Sequence, residues 1–207
     1  MCDANAFDQW ADSYDDDVAQ SDQAETFPFA GYAQVLDRVA TQVLAHEPGN
    51  LLDVGTGSGV LAARLYQAGW RITAVDFSEE MLNQARQRMP KAEFILSDFS
   101  AGLAERLSGR SFDFIMMTYA LHHLEYEKQV ELLRSLLALL KENGKILIGD
   151  IAFETQSDLI ACQKRFPGEW DEDEFYPVLS EIQRNLPETR GAYEVISFCS
   201  GVVQISK

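Results

Sequence analysis

The chain has 207 residues, 46% of them apolar and 24% charged, with a formal net charge of −16. That length suits one domain able to bury about 70% of its unfolded surface. The acidic balance disfavours nucleic-acid phosphates and anionic membranes as partners, and neither a membrane-length apolar run nor a basic-plus-apolar signal peptide is seen.

Residues 1–50 hold ten acids and one base. Within them, Val35, Leu36, Val39, Val43 and Leu44 recur at helical spacing and predict an amphipathic helix over residues 29–46, ended by Pro48-Gly49. A first strand is expected at 51–55, with a helix starting near Ser58 and stopped by Gly69. A second strand follows at 71–75, then a helix over 79–89 capped by Ser78 and stopped by Pro90. A third strand is expected at 92–96, a short helix at 101–107, and a nearly continuous apolar strand at Phe112–Thr118. The leucines from Leu132 to Leu140 mark a buried helix ending at Asn143-Gly144, with a fifth strand from Lys145 to Ile151. Residues 155–186 read as helical but acidic and irregular, broken at Pro167-Gly168. Ala192–Phe198 and Val202–Ser206 are strand-like runs around a short Ser200-Gly201 turn, which leaves room only for an antiparallel hairpin. The alternation of strand and helix predicts an α/β fold with a mostly parallel, Rossmann-like sheet closed by that terminal hairpin.

The richest stretch is Leu51-Leu52-Asp53-Val54-Gly55-Thr56-Gly57-Ser58-Gly59. Glycines on alternate positions let the backbone turn sharply and let a ligand approach it. The helix behind them aims free N–H groups at whatever binds. Asp76, at the end of the second strand, follows at a distance suited to a ribose diol. A dinucleotide loop is G-x-G-x-x-G; here the third glycine comes one residue early and Val60 takes its place. Past the fourth strand lie Tyr119, His122 and His123, at the sheet edge where doubly wound folds place ligands. A histidine titrating near neutrality can take a proton from an O–H or N–H acceptor; the alternative is that one of the pair only braces the loop. Tyr119 is the other candidate for substrate contact, and Asp150, at the end of the fifth strand, is a further candidate at the mouth. No Cys or carboxylate follows the His pair at ligand spacing, so no metal site is expected. Cys2, Cys162 and Cys199 form neither a disulfide framework nor a metal motif, and a reducing cytoplasm is the fitting compartment.

Asp53 to Gly59, with Thr56 inside it, resembles motif I of the class I S-adenosylmethionine (SAM) methyltransferases. The resemblance implies a seven-stranded sheet whose last strand inserts antiparallel, with Asp76 on the SAM ribose. It also implies an adenine-side motif at Ser97-Asp98-Phe99, with Phe77 and Phe99 bordering the base, and motif IV at Phe112–Leu124, including Thr118, beside the methionine moiety. Phe7-Asp8-Gln9-Trp10-Ala11-Asp12-Ser13-Tyr14-Asp15 is similar to the opening of small bacterial methyltransferases of undefined substrate, in which Tyr14 would be a lid tyrosine closing over SAM. The organisation implied is a single methyltransferase domain. It comprises a lid and helix (1–50), a SAM-binding core (51–151), a helical substrate-side segment (152–190) and a terminal hairpin (191–207).

The activity implied is transfer of the SAM methyl group to a small molecule, leaving S-adenosylhomocysteine. Residues 1–50 carry a balance of −9 and residues 151–190 one of −5. If they flank the mouth, the acceptor is neutral or cationic, and neither nucleic acid nor membrane is a partner. Two other readings stay open: a small NAD-dependent oxidoreductase, and a non-catalytic SAM-binding regulatory protein. The acceptor atom and the oligomeric state are left open by the sequence.

Overall fold

A computed structural model describes residues 26–103 and 106–207. Tyr14, Trp10 and nearly all of the lid segment lie outside the described residues, as do two positions of the helix expected at 101–107.

Seven strands form one sheet: β1 (Asn50–Val54), β2 (Arg71–Asp76), β3 (Glu93–Leu96), β4 (Phe112–Thr118), β5 (Leu140–Ile151), β6 (Arg190–Val195) and β7 (Ser200–Ser206). Their order is β3-β2-β1-β4-β5-β7-β6. The first five are parallel, and β7 pairs antiparallel with both β5 and β6. The chain moves outward from β1 through β2 to β3, then returns to the other side of β1 as β4. That reversal opens a crevice at the carboxyl ends of β1 and β4, where doubly wound sheets bind ligands.

Helices cover both faces, which is why the central strands are apolar throughout instead of alternating. On one side α1 (Tyr32–Leu44), α2 (Val60–Gln67) and α3 (Glu79–Arg88) share a core with Leu51, Ile72, Met116 and Leu147. On the other, α4 (Tyr126–Ala138) and α6 (Leu179–Asn185) pack with Leu52, Val54, Ile115 and Ile148. α5 (Gln156–Arg165) joins the first core through Leu159 and Cys162. The caps are local chemistry. Ser78 Oγ accepts from Met81 N–H at the start of α3, where Glu79 and Glu80 complement the helix dipole and Arg86 and Arg88 complement its other end. Thr155 and Asp158 form a reciprocal capping box on α5.

Three boundaries differ from the sequence reading. The leucine helix ends at Ala138, and β5 begins at Leu140, with a register shift opposite Phe112 and Phe114. Asn143-Gly144 is therefore an irregularity inside a strand. A Cβ on Gly144 would stand 3.0 Å from the Phe112 carbonyl oxygen, so the glycine admits a close backbone approach. Likewise Ser200-Gly201 is no turn. Gly201 pairs with Asp150 and with Val195, because the Tyr193 ring occupies the space a Cβ would need. Ser200 is held by bonds to the Ala30 carbonyl and Ser197 Oγ, and the connection falls at Ile196–Cys199. Third, α2 starts at Val60 from a left-handed Gly59, two residues later than Ser58.

Gly149 on β5 sets the seat of α1: a Cβ there would lie 2.6 Å from Val35 Cγ1 and 3.1 Å from Val39 Cγ2. Gly149→Ala should therefore overpack the interface and cost about 1–3 kcal/mol. Urea titration is expected to move the midpoint down with an unchanged slope; a variant as stable as the parent would show that α1 yields freely at this contact.

Candidate functional site

The crevice is a cleft whose wall includes Gly55, Thr56, Gly57 and Ser58 after β1, Asp76 and Phe77 at the end of β2, Phe99 after β3, and Thr118, Tyr119, Ala120 and His123 at and past the end of β4. Tyr32 and Leu36 of α1 and Met81 of α3 complete it.

The glycine loop is built by its neighbours. Val75 O accepts from both Gly55 N–H (2.8 Å) and Thr56 N–H (3.1 Å), and Gly59 N–H donates to Thr56 O. The three glycines have φ values of +74°, +53° and +78°, a region costly for other residues. They serve different ends. A Cβ on Gly55 would meet Ala120 Cβ at 2.6 Å, and one on Gly59 would meet Ala85 Cβ at 2.9 Å, so these two permit packing. A Cβ on Gly57 would meet nothing within 4 Å. Gly57 thus faces open space, as a backbone cradle for a ligand requires.

Asp76 is buried and occupied: Oδ2 accepts from Gly57 N–H at 2.8 Å and Oδ1 from Ser78 N–H at 3.0 Å. Each carboxylate oxygen has a second lone pair, so the group can hold the loop and still receive a donor from the cleft. Asp53 lies beneath the loop and does not line the cleft. Its Oδ2 accepts from Thr56 Oγ1 at 2.6 Å, while Oδ1 is buried with no partner among the described residues. Burial pushes this carboxyl up to about 7, against the pull of the Thr56 hydroxyl and with some help from Asp76.

The other expected residues separate. Phe77, Phe99 and Thr118 are on the wall. Asp98 is exposed, and its Oδ1 caps the short 3-10 turn Phe99–Ala101 by accepting from Ser100 N–H. Gly59 lies behind, at the start of α2. Tyr119 has φ +50°, the one non-glycine residue in the left-handed region among those described. Its ring centroid lies 4.6 Å from that of Tyr32 and 5.9 Å from that of Phe29, tilted against each. An α-helical stripe in the sequence contains Leu36 and reads equally as core, and Tyr32 falls outside that stripe.

His122 is buried, with Nδ1 2.5 Å from Asp150 Oδ1. Asp150 is fully buried behind the mouth, where Oδ1 also accepts from Ile151 N–H. Burial alone would lower the His122 pKa, but Asp150, Glu174 and Asp171 outweigh it and hold the imidazole above its ordinary range. His123, which does line the cleft, is pushed down to about 3 by burial and then by His122. Glu174 arrives from far downstream. Phe175 N–H donates to His122 O, and Gln129 Nε2 bridges the Leu124 and Phe175 carbonyls, so the 174–176 segment is strapped to the histidine loop. The missing carboxylate beside the His pair is thus supplied by the fold, which local spacing had no means of showing.

A family model described as a methyltransferase domain matches residues 51–144. An uncharacterized methyltransferase of Alkaliphilus oremlandii is 30% identical over 190 residues, spanning 91% of this chain and 84% of that protein. One from Geobacillus sp. (strain WCH70) is 34% identical over 148 residues, 71% of this chain and 66% of its own length. Among solved structures, the DhpI-SAM-HEP complex aligns with a TM-score of 0.70 at 17% identity, over 98% of this chain and 95% of that one. Magnesium protoporphyrin IX methyltransferase of Synechocystis PCC 6803 with bound SAH aligns at 0.69 and 19%, over 98% and 99%. At these identities the structural likenesses speak for the fold.

The Asp53 carboxyl gives a pH prediction. Between its unfolded pKa near 3.8 and its folded value of about 7, the native state holds the extra proton. Stability from this group is therefore lost as pH rises through that window. Unfolding free energies taken at intervals from pH 5 to 8 should fall in wild type relative to Asp53→Asn, which stays neutral. A difference between the two that does not change with pH would remove the effect.

Proposed function

This chain belongs to the class I SAM-dependent methyltransferases, and from that premise we propose that its cleft carries a SAM-dependent methyl transfer to a small neutral or cationic acceptor. SAM, when bound, supplies an electrophilic methyl group on a sulfonium. The observation carrying the site assignment is the meeting, in one cleft, of an open glycine cradle at Gly57 with the Asp76 carboxylate beside it. In this reading Gly55, Thr56 and Gly57 present backbone to the methionine end, and Asp76 accepts from the ribose hydroxyls. Phe77 and Phe99 flank the adenine, and Thr118 lines the methionine side. Asp53 and Gly59 act from behind by fixing the loop. Asp98 would have to turn from its cap to reach the base, and Tyr14 would close over the cleft as a lid.

In-line displacement needs alignment and exclusion of water more than a strong catalytic dyad. Tyr119 and His123 are assigned to the acceptor, since both line the cleft just past β4. His123 is neutral at physiological pH and, with a pKa pushed down to about 3, too weak a base to hold an acceptor's proton, so its role is contact with the acceptor. His122 is assigned to position that loop through Asp150. The neutral or cationic acceptor rests on the acid excess outside residues 51–150. Among the described residues no helix is long and apolar enough to cross a membrane. Assignment to the cytoplasm rests on the scattered cysteines, of which Cys162 and Cys199 are free thiols.

SAM and S-adenosylhomocysteine should each raise Tm, since they bind the folded state; equal or greater stabilisation by NAD would overturn the assignment. A metabolite screen read by S-adenosylhomocysteine release should find its best acceptors among uncharged or cationic compounds. A polyanion as the best substrate at low salt would sink the charge argument.

Asp76→Ala should lose roughly 2–4 kcal/mol of SAM affinity, the scale of charge-assisted pairs plus the loosened Gly57 loop. Calorimetry giving binding within threefold of wild type, on a variant with native circular dichroism, would remove the ribose role.

A further inference from the structure

At and behind the cleft wall, three side chains bring heteroatoms close together. His122 Nε2 lies 3.6 Å from Glu174 Oε1, His123 Nδ1 lies 3.9 Å from the same oxygen, and the three donor atoms fall within 4.8 Å of one another. We infer that His122, His123 and Glu174 form a binding site for a divalent transition-metal ion of the zinc class.

The argument begins at the far side of the His122 ring. Asp150 Oδ1 already accepts the Ile151 N–H, and a carboxylate has no proton to give, so the 2.5 Å contact is an Nδ1–H donation from His122. A neutral imidazole fixed in that way carries a lone pair on Nε2, and that lone pair faces the Glu174 carboxylate. Two acceptors opposed in a place where the His122 side chain is 5% exposed need positive charge between them. A proton on Nε2 answers that contact alone, whereas a metal ion uses all three donors at once.

The dimensions and the donor set agree. Zinc bonds of about 2.0–2.2 Å in tetrahedral array put donors about 3.4 Å apart. The separations of 3.6 and 3.9 Å to Glu174 need to close by about 0.2 and 0.5 Å, and the two imidazole nitrogens, within 4.8 Å of each other, close by rotation of the half-buried His123 ring. Two imidazoles and a carboxylate suit zinc better than a hard cation, which would ask for oxygens. Asp150 behind His122 is the carboxylate partner that orients a metal-bound imidazole and raises its basicity. Three protein donors leave a fourth position for water or an acceptor heteroatom. The ion would join the loop bearing Tyr119 to the segment after α5, reinforcing the Phe175–His122 backbone bond.

The inference stands apart from SAM binding, and its test separates the two. The full chain is stripped with a chelator, and Zn²⁺ affinity is measured by competition with a chromophoric chelator, with Co²⁺ absorption as a report of geometry. Wild type should bind one equivalent and give the intense visible bands of a four-coordinate ion. Glu174→Gln should weaken binding at least tenfold and lose those bands while keeping the SAM-induced rise in Tm; Asp150→Asn should weaken binding by about 10–100-fold. Failure to take up an equivalent, or equal uptake by wild type and Glu174→Gln, overturns the metal site and leaves the SAM reading intact. Uptake abolished by Glu174→Gln in a chain that SAM does not stabilise supports the metal site and overturns the other.

Discussion

One carbonyl and one carboxylate at the end of β2 hold the whole upper edge of this molecule. Val75 O takes the amides of Gly55 and Thr56, and Asp76 takes those of Gly57 and Ser78. Three consecutive amides of the loop, and a fourth at the start of the next turn, find their acceptors within two residues of a strand. A buried backbone N–H without a partner costs about 1–3 kcal/mol, so the loop has little freedom to lie elsewhere. From that anchoring follow the start of α2, the burial of Asp53 beneath the turn, and the contact of Ala120 and Phe99 with Gly55.

The opposite wall is organised by a second buried pair, His122 with Asp150. It differs in kind: the first network is backbone amides on a carboxylate, the second is side chain on side chain in the interior. Such a pair is stable only when geometry and further bonds compensate for lost hydration. The compensation comes from the Ile151 amide, with Glu174 beyond the ring placed to meet positive charge at Nε2. The two walls meet at Tyr119, whose backbone sits in a left-handed conformation that costs of order 1 kcal/mol and is maintained by the Gly149 carbonyl and its ring contact with Tyr32.

The sheet was legible because its strands are apolar runs separated by capped helices, a signal that depends on neighbours in sequence. The glycine loop and Asp76 were legible for the same reason. The misreadings share a cause. Leu140 continues a leucine pattern yet pairs as strand, and Ser200-Gly201 looks like a turn yet sits in β7 against Tyr193. In both places a distant partner overrides the local preference. Asp98 caps the turn after β3 by accepting from the amide of Ser100. Glu174 carried no local signal at all, since only the strap through Phe175 and Gln129 brings it to the histidines.

The position of β7 between β5 and β6 has a consequence for synthesis. As a nascent chain emerges, β1 to β5 can pair and cover themselves with α1 to α4 in the order in which they are made. β5 must then wait, with one edge of unsatisfied amides and carbonyls, while α5, α6 and β6 appear. Only when residues 200–206 are made is that edge closed. An apolar strand edge held open is a template for pairing with other chains. The interval between translation of β5 and of β7 is therefore the window in which this fold is most exposed to aggregation and most dependent on chaperones.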